Sequence, residues 1–183
     1  KFSVRARKAV IIAASATHTP ALLQRSGVKH PALGKYFRAH PGLGCFGVYP
    51  DRKEMWKGAT QGWASVAFRN DPKLRAKLEV LTLPLELVAS RLSGAGPELV
   101  AKLEEFPRML HWVAAIRADA VGRVKNGFGD KPVVSYAATR DDIHAFRRAL
   151  KFVAQMHFSV GATHVIPGVI GLPYKIGPDD LHL

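Results

Sequence analysis

Apolar residues fall along this chain in three kinds of run. The first is short and continuous: Ala9, Val10, Ile11, Ile12, Ala13 and Ala14, entered through an alternating stretch at 4–7. A run apolar on both sides of the pleat suits a central strand of a parallel sheet, so a strand is predicted over 4–14. Pro20 then opens a short helix, where its missing N–H costs little, and Gly27 is placed to end it. Residues 31–45 read as loop, with Pro31, Gly34, Pro41, Gly42 and Gly44.

The second kind is alternating and punctuated by turn residues. It predicts six strands, at roughly 44–49, 60–68, 77–82, 109–118, 122–126 and 132–137. Residues 119–122 and Asn126-Gly127 supply the last turns, and connections this short favour antiparallel neighbours. Short helices starting at Pro84 and Pro97 interrupt the series. The third kind is helical. Ile143, Phe146, Leu150, Val153 and His157 recur at three- and four-residue steps, which predicts a helix over 140–160 stopped by Gly161. A strand at 163–166 follows. The pattern predicts an α+β fold: a roughly six-stranded antiparallel sheet with helices on one face, preceded by one strand and a short helix of an α/β unit. A boundary is expected near residue 45.

Composition adds limits. The 183 residues suit one domain or slightly more, and an apolar content of 48% is enough for a real core. No run reaches membrane-span length and no secretory pattern is present. A single cysteine, Cys45, excludes an internal disulfide and gives no reason to expect an oxidising compartment, so a cytoplasmic protein is expected. Lys1 in first place and the open ending Asp179, Asp180, Leu181, His182, Leu183 read as cuts from a longer polypeptide. The net charge of +13 invites a nucleic-acid partner. The cations are nevertheless spread along the chain, and Arg140, Arg147, Arg148 and Lys151 suit a solvated helix face. A stand-alone basic binding module, for nucleic acid or an acidic partner, is the alternative class. His111, His157 and His164 lack partners at metal spacing, and no metal is expected.

One motif is denser than the rest. Ser15, Ala16, Thr19, Pro20, Leu22, Leu23, Ser26, Gly27 and Val28 fill a fixed series of small, Thr-Pro, aliphatic and Ser-Gly positions. The series resembles the second signature of the glucose-methanol-choline (GMC) flavin oxidoreductases, with Lys29 standing where the family usually has Gly. Leu33-Gly34, then His40-Pro41, is similar to a later family segment, with Tyr36 and Ala39 replacing its usual Asn and Asp. The likeness continues through Trp56, Gly58, Gly62 and Trp63 and returns at 161–168 and at Gly171-Leu172-Pro173.

The resemblance implies an enzyme that oxidises an alcohol, long-chain or sterol-like, by hydride transfer to FAD. It implies that residues 1–45 belong to the FAD-binding domain, 46–175 to the substrate-binding domain, and 176–183 to the return into the FAD domain. The family's catalytic histidine and its Gly-x-Gly-x-x-Gly phosphate loop are expected outside these residues, so the chain alone is expected to be inactive. Its partners would be the remainder of the same enzyme and the alcohol. Ala14, Ser15 and Ala16 are the cofactor candidates, because small residues at a strand end let a ligand approach the backbone. His40 joins them, since the family loop there runs near the flavin. Gln61, Trp63 and Trp112 fall on predicted strands of the substrate sheet and are the candidates for shaping an apolar pocket.

Overall fold

The computed structural model describes residues 2–182. The fold is α+β with antiparallel sheets, and it divides into two compact units. One contains residues 1–39 and 119–139; the other contains 40–118 and 140–183.

In the first unit, helix α1 (Ser15–Arg25) packs on a three-stranded sheet of β1 (Lys35–Phe37), β6 (Gly122–Asn126) and β7 (Pro132–Ser135). Pro20 lies inside α1 and Ala21 is its buried contact. Gln24 ties the helix to the central strand, donating to the Val124 carbonyl at 3.1 Å and accepting from the Asn126 amide at 3.0 Å. Gly34, at φ 74°, sits so close to that strand that a Cβ would meet the Val124 carbonyl oxygen.

The second unit holds a five-stranded sheet ordered β3-β4-β5-β2-β8: Ala64–Ser65, Ala76–Leu81, Met109–Ile116, Gly42–Val48 and His164–Ile166. Helix α4 (Arg140–Ser159) covers one face. Its buried stripe is Asp142, Ala145, Ala149, Val153, Ala154 and His157. The sequence pattern pointed to larger residues, but Ile143 is 45% exposed. The alanines let the helix lie close to the sheet, and the bulkier Phe146 and Leu150 pack at its flanks. Helices α2 (Leu85–Ala89) and α3 (Gly96–Leu103) instead gather with Phe46, Val48, Met109 and Ile166, whose side chains leave the opposite face.

Three details correct the sequence reading. Residues 2–14 form neither helix nor strand, and Val4, Val10 and Ile11 are 91%, 74% and 91% exposed. A doubly buried strand needs neighbours on both edges, and no described strand pairs with this stretch. The hairpin 122–126 and 132–135 pairs with 35–37 rather than extending the main sheet, so six expected strands become members of two sheets. The strand expected at 60–68 contracts to two residues, with Gln61 at a positive φ of 56° before it.

A Gly-x-Gly-x-x-Gly spacing is present after all, at Gly42, Gly44 and Gly47. It lies along β2, hydrogen-bonded between two antiparallel neighbours, and not in a turn that opens a helix. A phosphate loop needs that turn and the helix N-terminus behind it. These glycines serve packing: a Cβ on Gly47 would lie 2.2 Å from His157 Nδ1.

His157 is fully enclosed between α4 and the sheet. Its Nε2 faces the Cys45 carbonyl at 3.3 Å, so that nitrogen donates. Nδ1 is then an acceptor, and the Tyr49 hydroxyl at 2.9 Å donates to it. Trp112 stacks on the ring at 4.3 Å. The neutral imidazole has both nitrogens satisfied, and burial holds its pKa down at about 4.

Candidate functional site

The face of the main sheet opposite α4 is open over much of its area and floors a cavity of about 690 Å³. Strand register orders this floor into rows. Leu81, His111, Phe46 and Ile166 stand side by side across β4, β5, β2 and β8. The next row on this face is Glu79, Val113, Gly44, and the third is Lys77, Ala115, Gly42. Side chains shrink towards β2 in the second and third rows, which leaves a trough above Gly42 and Gly44. Alternation along each strand sends these residues outward while Ala76, Leu78, Ala114 and Cys45 point at α4.

Polar groups in the cavity differ in how they are held. Glu79 is engaged by Lys77 Nζ at 2.6 Å, and the Gln61 amide reaches it at 3.5 Å. His111 is 7% exposed and stacks on Phe46 with ring centres 4.4 Å apart. Neither of its ring nitrogens has a hydrogen-bond partner among the described residues; Nδ1 is enclosed, leaving Nε2 as the nitrogen open to the cavity. Burial first, then the nearby Arg91 charge and His157, push the His111 pKa down to about 3, so the ring is neutral at ordinary pH.

The candidates from sequence separate into three places. His40 and Gln61 line the open-face cavity, beside Gly42 and Glu79. Trp63 and Trp112 line a smaller concavity of about 270 Å³ with Leu78, Val153 and Met156. Trp63 is 81% exposed there, whereas Trp112 is half-buried on His157. Ala14, Ser15 and Ala16 belong to the other unit, at the start of α1. Ser15 has a positive φ of 70°, and its hydroxyl accepts from the amides of Thr17 and His18.

Sequence reasoning missed His111 and Arg91 as site residues. The signal was present in part: His111 lies one residue from Trp112, and alternation sends the two to opposite faces. Which face is open depends on where α4 packs.

Among the described residues no helix is long and apolar enough to cross a membrane, and no group of three His, Cys, Asp or Glu could hold a metal ion.

The family model described as GMC oxidoreductase matches residues 1–42. An uncharacterized GMC-type oxidoreductase of Mycobacterium tuberculosis is 32% identical over 166 residues, 90% of this chain and 26% of that protein. A long-chain-alcohol oxidase of Arabidopsis thaliana is 28% identical over 172 residues, 90% of this chain and 22% of its own length. A GMC-type oxidoreductase of Sinorhizobium fredii is 24% identical over 173 residues, 94% of this chain and 33% of its length. The chain therefore spans between 22% and 33% of these curated relatives. No solved structure matches it at a significant level. Joined to the motif at 15–28, these likenesses make the chain similar to GMC oxidoreductases through most of its length.

Proposed function

We propose that the chain is part of a flavin-dependent oxidoreductase that converts the CH–OH group of an alcohol, long-chain or sterol-like, into a carbonyl. The observation that carries this reading is a likeness running through 90% of the chain to GMC-type enzymes, among them a long-chain-alcohol oxidase. In this reading residues 1–45 are a segment of the FAD-binding domain, 46–175 are most of the substrate-binding domain, and 176–183 begin the return.

In each of the two units, taken by itself, some of the residues present suit contact with FAD. Ser15 and Ala16 are small and exposed, and their amides have no partner among the described residues at the start of α1. Ala14 precedes them, its own amide donating to the Thr19 hydroxyl. His40 stands exposed at the edge of the open-face cavity. When bound, FAD supplies the hydride acceptor. The chain's own part is to hold and orient the alcohol. Phe46, Leu81, Val113 and Ile166 give the cavity apolar walls, and Gln61 offers a polar contact at its rim. Trp63 and Trp112 supply a second apolar surface. The catalytic base lies in the remainder of the enzyme, and this chain alone does not turn over an alcohol.

The reading is tested by purifying the full-length protein and identifying the flavin released on denaturation. It expects FAD in near-equal amount to protein. A full-length protein that is folded and carries no flavin, even after incubation with FAD, overturns it.

A further inference from the structure

The cavity on the open face has an unusual inner wall. Leu81, Phe46 and Ile166 are apolar, and His111 stands among them as the one polar member of the row. Nδ1 is enclosed with nothing to accept a proton from it. A buried orphan N–H is rarer than a buried orphan lone pair, which puts the proton of the neutral ring on Nε2. His111 therefore presents an N–H donor to the cavity. Arg91 lines the same cavity, close enough for its charge to oppose protonation of His111. Its guanidinium has no hydrogen-bond or ion-pair partner among the described residues, and it offers donors only. The carboxylate that lines the cavity, Glu79, is already held by Lys77 and Gln61. Two idle donors beside a satisfied acceptor call for a ligand group that accepts twice. The formal charges agree: Lys77 and Arg91 against Glu79 leave one positive charge for one anion.

We propose that His111 and Arg91 form a carboxylate-binding end of this cavity, so that its ligand is a hydroxy acid whose apolar chain lies along the sheet. This rests on the reading of the open face as the substrate side of an alcohol-oxidising enzyme. A planar carboxylate meets a guanidinium in a fork geometry and can use its second oxygen on the imidazole N–H. An apolar chain then runs over Val113 and Ala115, with the hydroxyl at its far end. The arrangement binds and positions; it makes and breaks no bond.

The test uses the full-length flavin-loaded enzyme with two substrates of equal chain length, ω-hydroxydodecanoate and dodecanol, and dodecanoate as a ligand that cannot react. The proposal expects kcat/KM to favour the hydroxy acid by roughly ten-fold or more, as one charge-assisted contact provides. Dodecanoate should bind by calorimetry and compete with the hydroxy acid. Arg91→Gln should shrink the preference and weaken dodecanoate binding by a similar factor, with Arg91→Lys restoring part of both. Arg91 is exposed, so these variants leave the core intact; His111→Gln gives a second probe of the same preference. If the enzyme oxidises both substrates equally well, or Arg91→Gln lowers both alike, the carboxylate end is refuted and the alcohol-oxidising reading stands. If the flavin-loaded enzyme oxidises neither, the carboxylate end is refuted, and if it leaves a sterol untouched as well, the alcohol-oxidising reading itself falls.

Discussion

At the scale of single residues, the fold is tuned around His157. Its neutral form satisfies both ring nitrogens, and protonation would cost the bond from Tyr49. Because burial depresses its pKa from 6.5 to about 4, the neutral ring's contribution is complete above about pH 6.5. That stability is lost as the pH falls through about 4, and the full change is on the order of 3 kcal/mol. His111, depressed to about 3, acts in the same direction. Urea unfolding measured from neutral to acidic pH should show stability falling over this window. Substituting Tyr49→Phe leaves Nδ1 without its donor and should destabilise the fold by about 1–3 kcal/mol, read from the unfolding midpoint. Gly47→Ala drives a methyl group into the same ring and should cost about 1–3 kcal/mol by the same measurement. The pairing of Gly47 with His157 was not legible in the sequence. Glycine in a strand signals close approach, but the residue that approaches comes from 110 positions further along the chain, on α4.

Elements were more legible than their grouping. The helix expected over 140–160 is α4, the strand at 109–118 is β5, and the proline-opened helices are α2 and α3. Local periodicity and turn chemistry determine these. The pairing of β6 with β1 was hidden, since a three-residue strand gives almost no periodicity and its partner lies far along the chain. The apolar run at 9–14 shows the converse: its pattern demands strand neighbours, and no described strand supplies them. The join between α4 and the sheet also has an electrostatic part. Asp142, wholly buried in the first turn of α4, meets the Arg75 guanidinium at 3.2 Å beside β4. Removing the carboxylate from a buried ion pair is costly, so Asp142→Ala should destabilise by about 3 kcal/mol in thermal or urea unfolding.

At the scale of the whole molecule, a sequence covering 26% of one relative's length is similar to it through 90% of its own. The candidate residues lie apart. His40 and Gln61 share one cavity, Trp63 and Trp112 another, and Ala14 to Ala16 stand in a different unit. Motif positions were readable because they depend on residue type at fixed spacing. The cavity wall of His111 and Arg91 was not, because it depends on register and on which sheet face the helix leaves open. The role proposed for this chain is as part of an alcohol-oxidising flavoenzyme. Its most direct test is to mix the full-length protein with a long-chain alcohol in the absence of oxygen and follow the flavin's visible absorption. Bleaching of the oxidised flavin band is the expected result as the alcohol becomes a carbonyl. A bound flavin that stays oxidised with every alcohol offered, hydroxy acids and sterols included, would contradict it.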